Sequence, residues 1–116
     1  MITLHLPWPD RKLSPNARGA WQVKEPARKT AREVGAAAVW EAGRVELPDR
    51  LQMTVIFHPP RSGRYDLDNA LARLKPYQDG IFAALQRDDS DICRVVLERG
   101  KPLKGGSVTV ILGEMQ

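Results

Sequence analysis

Leu51-Gln52-Met53-Thr54-Val55-Ile56-Phe57-His58 is the stretch on which the fold turns. Leu51, Met53, Val55 and Phe57 alternate with their neighbours at the period of two expected of a strand with one buried face. Pro59-Pro60 breaks that strand, and Arg61 to Tyr65 reads as a short basic loop. A helical pattern begins around Asp68 and runs to about Leu85. Pro76 lies inside it. Its ring removes a backbone donor and crowds the preceding turn, which predicts a kink or break at Lys75–Pro76. Gln86 to Asp91 is a polar turn, and Ile92 to Leu97, apolar and β-branched, is a strand.

Outward from this unit the pattern continues in both directions. Gly100 to Gly106 is a basic, glycine-containing turn, and Ser107 to Leu112 is a final strand. Toward the N-terminus, Ile2 to Leu6 alternates as a short strand that Pro7 and Pro9 end, and Asp10 to Ala20 reads as a basic loop. Pro26 suits the first turn of a helix that the alanine-rich run continues to Ala42. Ala27, Ala31, Val34 and Ala38 mark its apolar stripe, and Gly43 is a stop. The order is β-α-β-α-β-β. At 116 residues, without repeats or linkers, this predicts one α+β domain over 1–116, a mixed sheet with helices packed on it.

Eighteen Lys and Arg against fourteen Asp and Glu give a formal charge of +4, compatible with a polyanionic partner. The distribution is more informative than the sum. Six of the acids fall between Asp66 and Asp91, whereas Arg11 to Glu33 holds seven basic residues and two acids. An enzyme that cuts DNA needs both, to attract phosphates and to hold cations against them. The single cysteine, Cys93, makes no internal disulfide, which favours a reducing compartment. MITLHLPWPD lacks the basic start and apolar run of a signal peptide, and no stretch approaches the length of a membrane helix. The expectation is a cytoplasmic protein with no membrane partner.

The chemistry centres on Arg64-Tyr65-Asp66-Leu67-Asp68-Asn69. In an extended chain Asp66 and Asp68 project to one side. Alternatively, Asp68 caps the helix while Asp66 points across its start. Neighbouring carboxylates repel, and a hard cation such as Mg²⁺ relieves that repulsion with the ligands it prefers. The bland alternative is a turn in which one aspartate caps and the other is solvated. The second acidic element is Asp88-Asp89-Ser90-Asp91. After a break at Pro76, a helix of about 8 residues spans roughly 12 Å, which would let Asp88 fold back beside Asp66.

These residues form an ordered set that resembles the RusA family of phage-derived Holliday junction resolvases. The set comprises Leu6-Pro7-Trp8-Pro9 with Asn16, His58 and Pro60, Asp66-Leu67-Asp68-Asn69, Asp79 with Ala84-Leu85, Asp88-Asp89, Lys101-Pro102, and Lys104-Gly105-Gly106. The resemblance implies a homodimeric, Mg²⁺-dependent endodeoxyribonuclease, with Mn²⁺ substituting, that nicks four-way junctions symmetrically. It carries metal-binding and catalytic roles to Asp66, Asp68 and Asp89, with Asp88 the lesser metal candidate. The family lysine four residues after the second aspartate is Ala72 here. Counted back from Asp79 the position is Lys75, which on an unbroken helix shares a face with Asp68 and Ala72. Asn16, Arg18, Arg61, Arg64, Lys101 and Lys104 are the expected DNA contacts, the basic ones as a phosphate track. The altered lysine region keeps a second reading open, a catalytically impaired accessory protein that binds branched DNA.

The other reactive residues read more plainly. His5 and His58 are packed or hydrogen-bonded, and Cys93 is a small buried hydrophobe. Trp8 and Trp21 pack in the core or as a lid, Trp40 is core or dimer contact, and Arg28, Lys29 and Arg32 are a solvated helix face.

Overall fold

The computed structural model describes residues 1–14 and 21–116, with residues 21–23 as backbone only. Four strands and two helices follow the predicted order: β1 Ile2–Leu6, α1 Trp21–Ala42, β2 Leu51–His58, α2 Leu67–Leu85, β3 Ile92–Arg99 and β4 Ser107–Gly113. Single 3₁₀ turns stand at Arg11–Leu13 and Asp89–Asp91. The sheet runs β1-β4-β2-β3. β4 is antiparallel to both of its neighbours, and β2 and β3 are parallel across α2, so the sheet is mixed.

Alternation sorts the sheet into two faces. Registered pairs such as Leu4↔Val110 and Val55↔Val110 put Ile2, Leu4, Leu6, Leu51, Met53, Val55, Phe57, Val108, Val110 and Leu112 on one face. All ten are buried there, in one core with residues of both helices. Thr3, His5, Gln52, Thr54, Ile56, Thr109 and Ile111 occupy the opposite face, where none is fully buried. The domain is therefore two-layered, as an α+β fold with one solvated sheet face should be.

The helices depart from expectation at their prolines. α1 begins at Trp21, so Pro26 is internal to the helix and not in its first turn. The sequence rule favours proline at the first helical position, but the local structure does not need it there. The Glu25–Arg32 ion pair at 2.6 Å joins residues two turns apart across Pro26, so Arg32 is not simply a solvated cation. Gly43 ends the helix as expected, at φ 86° with its N–H donating to the Val39 carbonyl. In α2 no break occurs at Lys75–Pro76, and the helix is continuous from Leu67 to Leu85. Ala70 and Leu74 before the proline, and Tyr77, Ile81 and Phe82 after it, are all buried. That burial holds both halves on the sheet against a local penalty of about 3 kcal/mol.

Two glycines let the helices touch backbone to backbone. A β-carbon on Gly80 would stand 1.9 Å from the Arg32 carbonyl oxygen, and one on Gly35 would stand 2.2 Å from that of Tyr77. Beyond α2, Arg87 ties the α1–β2 loop down. Its guanidinium donates to the backbone oxygens of Leu47, Pro48 and Asp49 and bonds Asp91 at 2.7 Å. Arg87→Ala is expected to cost about 1–3 kcal/mol by orphaning these acceptors. A urea midpoint unchanged from wild type would contradict that role.

Candidate functional site

Strand direction decides what gathers where. β1 and β2 both run antiparallel to β4, and β3 runs parallel to β2, so β1, β2 and β3 deliver their C-terminal ends to one rim of the sheet. The rim therefore receives the Pro7–Leu13 segment, the Pro59–Asp66 loop, the start of α2 and the Gly100–Gly106 turn. Open α/β sheets commonly place ligands at this end of their strands.

The loops are fastened to one another at that rim. Gly100 N–H donates to the Phe57 carbonyl at 2.8 Å and Leu103 N–H to that of Pro59 at 2.9 Å. His58 Nδ1 lies 2.9 Å from the Lys101 carbonyl, so His58 is hydrogen-bonded, as its sequence reading expects. Trp8 packs edge-on against Phe57 and Tyr65, with the Arg73 guanidinium 5.9 Å from its ring centre. Arg73 also donates to the Pro9 carbonyl, and burial pushes its pKa down. A β-carbon on Gly106 would meet Trp8 at 2.7 Å and Pro60 at 3.1 Å, so glycine is needed where the turn closes on the loop. The packed Trp8 is thus a brace for the rim. Arg61, Arg64, Lys101 and Lys104, all exposed, stand on these fastened loops.

The α2 start brings Asp66 and Asp68 to the same rim. Asp66 is the N-cap residue, and its carbonyl accepts from Ala70 N–H at 3.0 Å, but its carboxylate makes no capping bond. Asp68 lies in the first turn. Both are exposed, and neither side chain has a hydrogen bond or ion pair among the described residues. The turn in which one aspartate caps is therefore not formed. Next to them, Asn69 accepts from the Ser14 hydroxyl at 3.2 Å. Asn16 and Arg18 lie outside the described residues.

Lys75 sits two turns further along α2, about 10 Å from Asp68 along the axis. Its ammonium bonds Asp79 at 2.7 Å and Asp89 at 2.5 Å. Gln78 also donates to Asp89, at 3.2 Å. These bonds, to Asp79 first and then to Asp89, raise the Lys75 pKa. It is a fixed cation at neutral pH and cannot serve as a base. The stabilisation it brings is complete below the ordinary lysine value and fades only as pH rises through the raised one. With half its side chain exposed, that stabilisation is small. Asp88 caps the following turn: the Ser90 N–H lies 2.8 Å from its carboxylate and holds its pKa down.

The expected fold-back of Asp88 onto Asp66 does not occur. It required the break at Pro76. The helix of 19 residues is unbroken, and the turn after it comes back only as far as the middle of α2, where the Asp89 carboxylate meets Lys75 and Gln78. Among the described residues no three Asp, Glu, His or Cys side chains gather to hold a metal. Asp66 and Asp68 alone do fit a hard cation. They are oxygen donors without a partner among the described residues, and Mg²⁺ commonly takes one or two carboxylates with water and substrate phosphate. Asp89 meets Lys75 instead.

Several other residues differ from their sequence reading. Cys93 is exposed, within 3.4 Å of Arg50 Nε, on the edge strand β3 at the register shift where Ile92 faces Leu51 and Arg94 faces Gln52. Trp40 is 71% exposed, which removes the core half of its reading and leaves the dimer contact as the other. Arg99, which the shorter strand Ile92–Leu97 left out, joins the rim. It lies 4.7 Å from the Tyr65 ring centre and donates to the Tyr65 carbonyl at 2.9 Å. A hollow of about 700 Å³ lined by Glu46, Gln52, Thr54, Ile111 and Glu114 lies against the outer sheet face, away from this centre, and has no cationic side chain in its lining. No helix among the described residues is long and apolar enough to cross a membrane.

No family model matches the chain. An uncharacterized protein from Xylella fastidiosa (strain Temecula1) is 46% identical over 93 residues. The alignment covers 77% of this chain and 61% of that relative, so the chain spans about three fifths of the length of the curated relative it matches.

Proposed function

We propose that this protein is a metal-dependent endodeoxyribonuclease of the RusA type, acting as a homodimer on four-way DNA junctions. One observation carries the proposal: two carboxylates, Asp66 and Asp68, unpaired among the described residues, share a sheet rim with the fastened loops that bear Arg61, Arg64, Lys101 and Lys104. A rim of fixed cations holds phosphates, and free acids facing phosphates serve a binder only at a cost.

Asp66 and Asp68 would hold Mg²⁺ or Mn²⁺, which supplies polarisation of the phosphodiester and a bound water of lowered pKa. The remaining roles belong to the chain. The basic loops orient the duplex arms through their phosphates. Lys75, on the Asp68 face of α2, stabilises negative charge that develops on the phosphate, and Asp79 and Asp89 hold it ready. Lys75→Gln is then expected to slow cutting by about 10²–10³-fold, with junction affinity within a few-fold of wild type. A variant that bound poorly but cut normally at saturation would remove Lys75 from this role.

A second reading, a branched-DNA binder without catalysis, is favoured by the ion pair that keeps Asp89 on Lys75, away from Asp66 and Asp68. A nicking assay on a synthetic four-way junction, with linear duplex as control, separates the two. Paired symmetric nicks that require Mg²⁺ or Mn²⁺ and stop with chelator support the nuclease. Tight binding with an uncut junction supports the binder.

A further inference from the structure

β3 closes one edge of the sheet. Among the described residues it pairs only with β2, which leaves its other row of backbone N–H and C=O groups facing outward. The strand is eight residues long, and Val95 and Val96 are 44% and 39% exposed. Such an edge either recruits another strand or is blunted by charge.

The charges on β3 are arranged for recruitment. The register Gln52↔Arg94, Thr54↔Val96 and Ile56↔Glu98 puts Arg94, Val96 and Glu98 on the outer sheet face. Arg94 and Glu98 stand equally far on either side of Val96. Both are exposed, and Glu98 has no ion pair among the described residues. Among the described residues Arg94 donates only to the backbone oxygen of Gln116. Val95 and Leu97 lie on the helix face, in register with Met53 and Val55.

We propose that β3 pairs antiparallel with β3 of a second copy about a two-fold axis at Val96, joining two four-stranded sheets into one of eight. In that register Arg94 faces Glu98 of the partner subunit, and the two-fold repeats the pair in reverse. Val96 meets Val96 of the partner subunit, and Val95 meets Leu97 of the partner subunit, covering the exposed valines. A parallel pairing in the same register would set Arg94 against Arg94 and Glu98 against Glu98. The strand is thus self-complementary in one orientation, as an isologous interface requires. This identifies the surface of the dimer proposed above. It rests on that reading only for the use made of two centres, because association is measured without DNA or metal.

Sedimentation equilibrium over roughly 5 to 200 µM, a range suited to a small interface, tests it. Wild type is expected to self-associate. Arg94→Glu and Glu98→Arg, each alone, should weaken association about tenfold, since each turns two attractive pairs into two repulsive ones. An equimolar mixture of the two variants should recover it, because every cross-strand pair is again opposite in sign. The double swap Arg94→Glu/Glu98→Arg should do the same. A wild type that stays monomeric throughout, or association that ignores the single variants, or a mixture no tighter than its components, overturns the pairing. Loss of junction cutting with self-association intact would count against the nuclease alone.

Discussion

Replacing Gly80 with alanine is expected to destabilise the protein by roughly 2–3 kcal/mol, although alanine is the better helix former by about 1 kcal/mol. The added methyl carbon would lie 1.9 Å from the Arg32 carbonyl oxygen and 2.7 Å from the carbonyl carbon. Both are backbone atoms of α1, so no side chain can swing aside. The helices must separate, and the core between them and the sheet loses contact. Gly35→Ala presses on α2 in the same way, at the Tyr77 carbonyl, and belongs to the same crossing. Gly63→Ala is the control, since nothing lies within 4 Å of its added carbon. It should change stability by no more than about 0.5 kcal/mol. Urea unfolding of the three variants makes the comparison. A Gly80→Ala midpoint at or above wild type would mean that helix propensity governs the site and the close crossing does not.

Replacing Asp68 with asparagine is expected to abolish cutting to within about a thousandth of wild type, while the fold stays intact. Asparagine keeps the shape and removes the charge. Asp68 is exposed and has no side-chain bond to lose among the described residues, so the structural cost is its favourable placement in the first turn of α2, about 0.3–1 kcal/mol. Mn²⁺ binding, followed by calorimetry, should weaken in step with activity. Asp66→Asn added to Asp68→Asn should cost little more, because groups that act as one unit are not additive in their removal. Full activity with asparagine at 68 would sink the assignment of the centre to the α2 start, whatever the variant did to stability.

Local pattern and tertiary outcome part company at identifiable residues. The alternation of Leu51 to His58 is legible because burial on one face imposes it, and every odd residue from Leu51 to Phe57 is buried. That Asp66 and Asp68 both stand at the start of α2 is legible for the same reason of short range. Pro76 misleads, because its penalty is local whereas the burial of Leu74, Tyr77 and Ile81 that overrides it comes from the sheet. The fold-back of Asp88 then fails with the break it depended on. Cys93 misleads differently. Apolar character shows that a strand has an inner face, but not whether the sheet continues beyond it, and β3 turned out to be an edge. Gly35 and Gly80 leave no pattern in the sequence, since a close helix crossing is a property of two distant segments.

The place of β4 in the sheet bears on how the chain is made. Residues 107–113 form an inner strand, flanked by β1 and β2, and they are translated after every other element of the fold. While they remain in the ribosomal tunnel, β1 has no strand to pair with, and the core face of β2 is open along one side. Most of the domain must therefore wait as a nascent chain with its apolar residues unhoused, in the interval when chaperones are most needed. The sheet closes when β4 inserts between two strands that precede it in the chain.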